Sequence, residues 1–148
     1  MISAVPVSSS GGSLKATRYA MPISKPSVTA TITAGNEPRF LAVGGDSVWV
    51  QNNGDGSVTR IGADGVVKST ITVSSSAVDG GDIAYGGGYV WPRISAALIA
   101  KLDGKTGELL ATYGPPSGSG SVAADDAAAW VSAHDVNSVW RLPLRPGS

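Results

Sequence analysis

His134 is the only histidine in this chain of 148 residues. It is therefore the only side chain whose ordinary pKa suits proton transfer near neutral pH. Asp135 follows it directly. The same stretch, AHDVN (133 to 137), also suits a turn, because Asp135 and Asn137 satisfy their own backbone locally. Catalysis and a solvated, turn-shaping histidine are thus the two readings of this position. Two further segments gather oxygen ligands: DGGD brings Asp79 and Asp82 close in a glycine-bearing loop, and NNGDG carries Asn52 and Asp55. Neither has the alternating ligands and terminal glutamate of a calcium loop, so ordinary turns account for both and no metal site is expected. Asp125 and Asp126 read the same way. The absence of cysteine removes disulfide, thiolate and zinc-thiolate chemistry and fits any redox compartment.

The elements that hold these loops follow from a recurring tryptophan. FLAVGGDSVWV (40 to 50), DIAYGGGYVW (82 to 91) and SVAADDAAAWV (121 to 131) align on Trp49, Trp91 and Trp130, at separations of 42 and 39 residues. Ala42, Ala84 and Ala123 each lie seven residues earlier. A basic residue followed by an aliphatic one comes about ten residues later in each copy, at Arg60, Lys101 and Arg141. A further apolar stretch follows in two copies, VVKSTITV (66 to 73) and ELLATY (108 to 113). Each unit reads as four short strands separated by Gly, Asp, Asn and Ser clusters, with Gly65 and Gly107 at hairpin positions that need positive φ. Four-stranded units repeated at this period predict the blades of an all-β propeller.

Both ends of the chain carry partial copies. SAVPV (3 to 7), LKATRYA (14 to 20) and SVTATITA (27 to 34) match second, third and fourth strands, while the last unit stops after its third strand. The expectation is fourteen strands, about three and a half blades, as one partial propeller over 1–148: a partial blade over 1–34, blades over 38–73 and 81–113, and a partial blade over 120–148. Such a chain is a piece of a larger propeller, an open arc, or a subunit that completes its ring by self-association. Strands beside missing ones expose unpaired N–H and C=O groups, so pairing between chains through the unpaired blade edges is expected.

Composition excludes several partners. Eleven basic and eleven acidic residues balance, and no basic run is present, so nucleic acid is not expected. No apolar run reaches the roughly 18 residues of a membrane span, and residues 1 to 13 lack the features of a signal peptide. Trp49, Trp91 and Trp130 read as core wedges between sheets rather than sugar-stacking platforms. Trp140, which replaces Thr59 and Ala100 of the other copies, is the better candidate for exposed aromatic contact. Arg18, Arg60, Lys101 and Arg141 read as long stems lying over apolar neighbours.

The pattern VWV, a polar turn, SVTRI, a Gly-bearing turn and a strand ending TITV resembles YVTN and NHL-like propeller repeats, and is similar to the repeats of the virginiamycin B lyase-like propellers. The resemblance covers nearly the whole chain and implies a fold rather than a function. It implies that the first strand of each blade lines a central channel. It also implies that the loops joining strands two to three, with the linkers between blades, open on one rim where ligands bind. Glu37, Arg39, Asn52, Asp55, Asp79, Asp82, Arg93, His134 and Asp135 would then reach that rim. Two functions follow. One is a noncatalytic module that binds a protein, peptide or glycan at the rim, without a cofactor, as part of a larger or self-assembling and extracytoplasmic propeller. The alternative is a streptogramin lyase-like carbon–oxygen lyase, or a lactonase-like enzyme, with His134 as general base and Mg2+ stabilising developing charge. The lyases of that family are understood to use two histidines and a glutamate, which a single His134–Asp135 pair does not reproduce.

Overall fold

The computed structural model describes residues 5–7, 18–20, 25–114 and 120–145. The chain divides into two compact units, Met1–Thr31 and Ile32–Ser148. In the first, β1 (Val5–Val7) pairs antiparallel with β2 (Arg18–Ala20), Val5 opposite Ala20. The second contains three antiparallel sheets. The first sheet runs in the order β3 (Pro38–Gly44), β4 (Ser47–Asn52), β5 (Ser57–Gly62) and β6 (Val67–Thr72). The next has β7 (Ile83–Gly86), β8 (Tyr89–Pro92), β9 (Ile99–Asp103) and β10 (Leu109–Tyr113), and the last has β11 (Val122–Ala124), β12 (Ala128–Ala133) and β13 (Ser138–Pro143). The first strands β3, β7 and β11 are mutual neighbours in succession, as the inner strands of propeller blades are.

Thirteen strands are present among the described residues, one fewer than the expected fourteen. The missing one is the stretch 27–34, which forms no strand. A β-favouring run becomes a strand only where a neighbour offers a matching ladder, and the described part of the expected third strand is three residues long. The rest of that expected blade lies outside the described residues.

Register explains why the alanines and tryptophans recur. Ala42 lies opposite Trp49, Ala84 opposite Trp91 and Ala123 opposite Trp130, so each bulky indole crosses a small residue on the inner strand. Middle strands are buried on both faces because sheets stack face to face. Trp49 and Val58 of the first sheet pack with Ile83, Val90, Ala100 and Leu102 of the second. Trp91 and Ile99 of the second pack with Val122, Ala129 and Val131 of the third. The indole N–H groups donate to Gly44 and Gly86 carbonyls at 3.2 and 3.4 Å, which satisfies the polar end of each buried ring. Glycine is required at both places. A Cβ on Gly44 would stand 2.0 Å from the Tyr85 ring, and one on Gly86 would stand 2.6 Å from Ala124.

The basic residues lie over the indoles, as their positions within strands lead one to expect. Arg60 sits 5.2 Å from the Trp49 ring centre, Lys101 5.3 Å from Trp91 and Arg141 5.8 Å from Trp130. Trp130 departs from its two counterparts: it is 40% exposed where they are fully buried. Trp140, expected to be the more exposed ring, is half-buried instead. Replacing Trp91 with alanine should cost about 3–5 kcal/mol in urea unfolding, by transfer loss plus cavity. Trp130→Ala should cost less than half as much; equal losses would mean that the third sheet is covered in solution.

Candidate functional site

Turns at one end of the sheets only shape the hairpins. Asp125 accepts from the Ala127 and Ala128 N–H groups, and these bonds hold its carboxyl below the ordinary value. Asp103 does the same with Thr106 and Lys105. The opposite rim carries the nine polar residues singled out by the sequence, and there the linkers between sheets are fastened to the loops between second and third strands.

At the first junction, Gly35 N–H donates to Asn52 Oδ1 at 3.1 Å and Asn36 N–H to Asp55 Oδ2 at 2.8 Å. Asn52 is buried, and its amide also donates to the Ser57 and Thr59 hydroxyls. Asp55 is exposed, yet the Asn36 N–H and then the Ser57 hydroxyl hold its carboxyl below the usual 3.8. Glu37 stands in the left-handed region, with φ 52°, and with Pro38 and Arg39 lines a shallow hollow. Glu37 and Arg39 are both exposed.

The second junction depends on Gln51 and Asn53, which the sequence did not single out. Gln51 Nε2 donates to the Arg93 carbonyl at 2.7 Å, and Asn53 Nδ2 donates to the carbonyls of Val78 and Gly80. Only their place in QNNGDG hinted at this, since neither equivalent loop carries amides at those positions. Asp79 is exposed and borders two hollows. The larger, about 600 Å³, runs between Val73–Ala77 and Ile94–Leu98; the smaller, about 460 Å³, is lined by Gly80, Gly81, Arg93 and Gly120.

Arg93 holds the third junction. It is 2% exposed, and its guanidinium donates to four carbonyls: Ser95 and Ala96 of its own loop, Gly120 of the linker and Ser132 of β12. Burial pushes its pKa down, while the charges of Asp135 and Asp82 oppose that shift. Asp82 is itself engaged, accepting from the N–H groups of Ile83 at 2.9 Å and Val122 at 2.8 Å. His134 begins a 3-10 turn, His134–Val136, closed by Asn137 in the left-handed region. Its Nε2 lies 2.7 Å from Asp135 Oδ1, and both side chains are exposed.

The nine residues therefore separate by role. Asn52, Asp55, Asp82 and Arg93 fasten backbone, whereas Glu37, Arg39, Asp79, His134 and Asp135 present side chains to solvent. Among the described residues no group of three or more His, Asp or Glu side chains gathers as metal ligands. Arg93→Ala should lower stability by about 3 kcal/mol, because it strands buried carbonyls around a cavity, and Arg93→Lys should not restore it, since an ammonium cannot span the same fork. Denaturant titration decides, and full rescue by lysine would contradict the fork geometry. Asp55→Asn should cost roughly 1 kcal/mol at pH 7. Because the native carboxyl pKa is depressed, that contribution is present above the ordinary value of 3.8 and fades as pH falls through the lower folded value. Melting curves of both proteins should therefore converge as pH falls through that lowered value.

No protein-family model matches the chain. No curated protein matches it either. Among solved structures it is similar to a catalytically inactive variant of virginiamycin B lyase from Staphylococcus aureus, solved with quinupristin: 17% identity and a TM-score of 0.56, over 91% of this chain and 48% of that one. It also aligns with the computationally designed Ika4 protein at 14% identity and a TM-score of 0.44, over 82% of this chain and all of that one. The chain thus spans about half the length of the lyase that it matches, and with it shares the antiparallel, four-stranded architecture of a β-propeller.

Proposed function

We propose that this chain is a noncatalytic binding module that takes a protein, peptide or glycan on its loop rim. The observation that carries this is the 600 Å³ groove between the first two sheets. It is lined by apolar side chains, Val73, Ile94 and Leu98, and by polar ones, Ser74, Ser75, Ser76, Ser95 and Asp79. Apolar contact with a few placed hydroxyls and one carboxylate suits a neutral or basic, hydroxyl- or amide-bearing ligand. The fastened loops beneath hold the groove in one shape, which limits the ordering cost of binding. Self-association through unpaired sheet edges belongs to the same reading.

The His134–Asp135 pair, on a fold shared with virginiamycin B lyase, favours one second function: a carbon–oxygen lyase acting on a compound such as quinupristin with a divalent cation. Glycan and peptide arrays, followed by calorimetry, separate the two. Binding that weakens tenfold or more in Asp79→Ala and Leu98→Glu but survives in His134→Ala supports the module. Quinupristin turnover that vanishes in His134→Ala would replace it with the enzyme.

A further inference from the structure

Of the four asparagines, Asn36, Asn52, Asn53 and Asn137, only Asn53 is followed by glycine. Glycine has no Cβ to keep its backbone nitrogen away from the preceding side-chain amide, so an Asn–Gly pair closes on itself more readily than other asparagine pairs. In that reaction Gly54 N forms a bond to Asn53 Cγ, the Cγ–Nδ2 bond breaks, and ammonia leaves with the Gly54 amide proton. Water then opens the cyclic imide at either of its carbonyls, giving aspartate or its β-linked isomer. No oxidant, reductant or enzyme is required.

The fold holds every group that would have to move. Gly54 N–H, on the attacking nitrogen, donates to the Asn36 carbonyl at 3.0 Å. Asn53 N–H donates to the Glu37 carbonyl at 2.9 Å, and the Asn53 carbonyl accepts from Val78 N–H at 2.7 Å. Nδ2, the leaving nitrogen, donates to the carbonyls of Val78 and Gly80. Asn53 is buried, and among the described residues no donor reaches its Oδ1, where negative charge gathers as the ring closes. Ring closure therefore waits until the Asn36–Glu37 strap and the Val78–Gly80 linker have both let go of the loop.

We propose that Asn53–Gly54 is a fold-protected deamidation site, silent while the loop is fastened and converted once it has opened. The product cannot restore the second junction. Aspartate sets a charged oxygen where Nδ2 donated, against the Val78 and Gly80 carbonyls in a buried place. The β-linked isomer also lengthens the main chain by one carbon. Either product releases the linker that carries Asp79, the carboxylate bordering the groove, and Gly81, which packs against Gln51. Loss of ammonia makes the step one-way, so it marks chains that have opened, whatever the groove takes.

The full chain is held in mildly alkaline buffer with and without unfolding urea, then digested under mildly acidic conditions at intervals for peptide mass mapping. Asn53 should convert roughly tenfold or more slowly without urea, because the reaction draws only on the opened population. In urea it should convert ahead of Asn36, Asn52 and Asn137. Once urea is removed, converted chains and a separately prepared Asn53→Asp variant should both unfold at lower urea than the starting protein, and should exchange the Val78 N–H faster. Equal rates with and without urea would overturn the protection, and this comparison holds even if Asn53→Asp fails to fold. Converted chains that unfold at the original urea concentration, with Val78 still protected, would overturn the release of the junction.

Discussion

Everything in the second unit depends on how one sheet is held against the next. The contact is an indole laid across an alanine, capped by a cation and tied at its N–H to a glycine carbonyl. Trp49 and Trp91 each make it, and each is fully buried by the following sheet. Sheets stacked this way leave no room for a side chain at Gly44 or Gly86, so the distance between inner strands is set by the absence of a Cβ. Dispersion and burial supply the attraction, and the N–H bond removes the penalty of enclosing a polar edge.

The rim is organised by a different force. Linkers between sheets cannot pair as strands, so their carbonyls and N–H groups must find partners in side chains. Asn52, Gln51, Asn53, Asp82 and Arg93 supply them, in succession from the first sheet to the third. Residues of types that often do chemistry are here consumed by backbone. The groove beside them is lined by Val73, Ile94 and Leu98 together with serine hydroxyls, and its single bordering carboxylate is Asp79.

Much of the fold is legible in the residues. The Trp49, Trp91 and Trp130 spacing marks the sheets, and Gly65 and Gly107 mark the outer hairpins with φ of 76° and 78°. The site is much less legible. Arg93 in PRIS and His134 in AHDVN look alike as loop-borne polar residues, yet one is buried among four carbonyls and the other stands in solvent. Trp130 is likewise exposed and Trp140 half-buried, against what their places in the repeat lead one to expect.

The sequence by itself determined which segments are able to become strands, where the hairpins turn and which face of each strand is apolar, because those are local properties of spacing, β-branching and glycine. Tertiary structure decided which of those faces and edges find a neighbour, and which polar loop residues are spent on backbone. The stretch 28–34 shows the difference: it shares Val, Thr, Ile and Thr with β6, yet forms no strand. A ladder needs two sides, and only the assembled fold says whether the second is there.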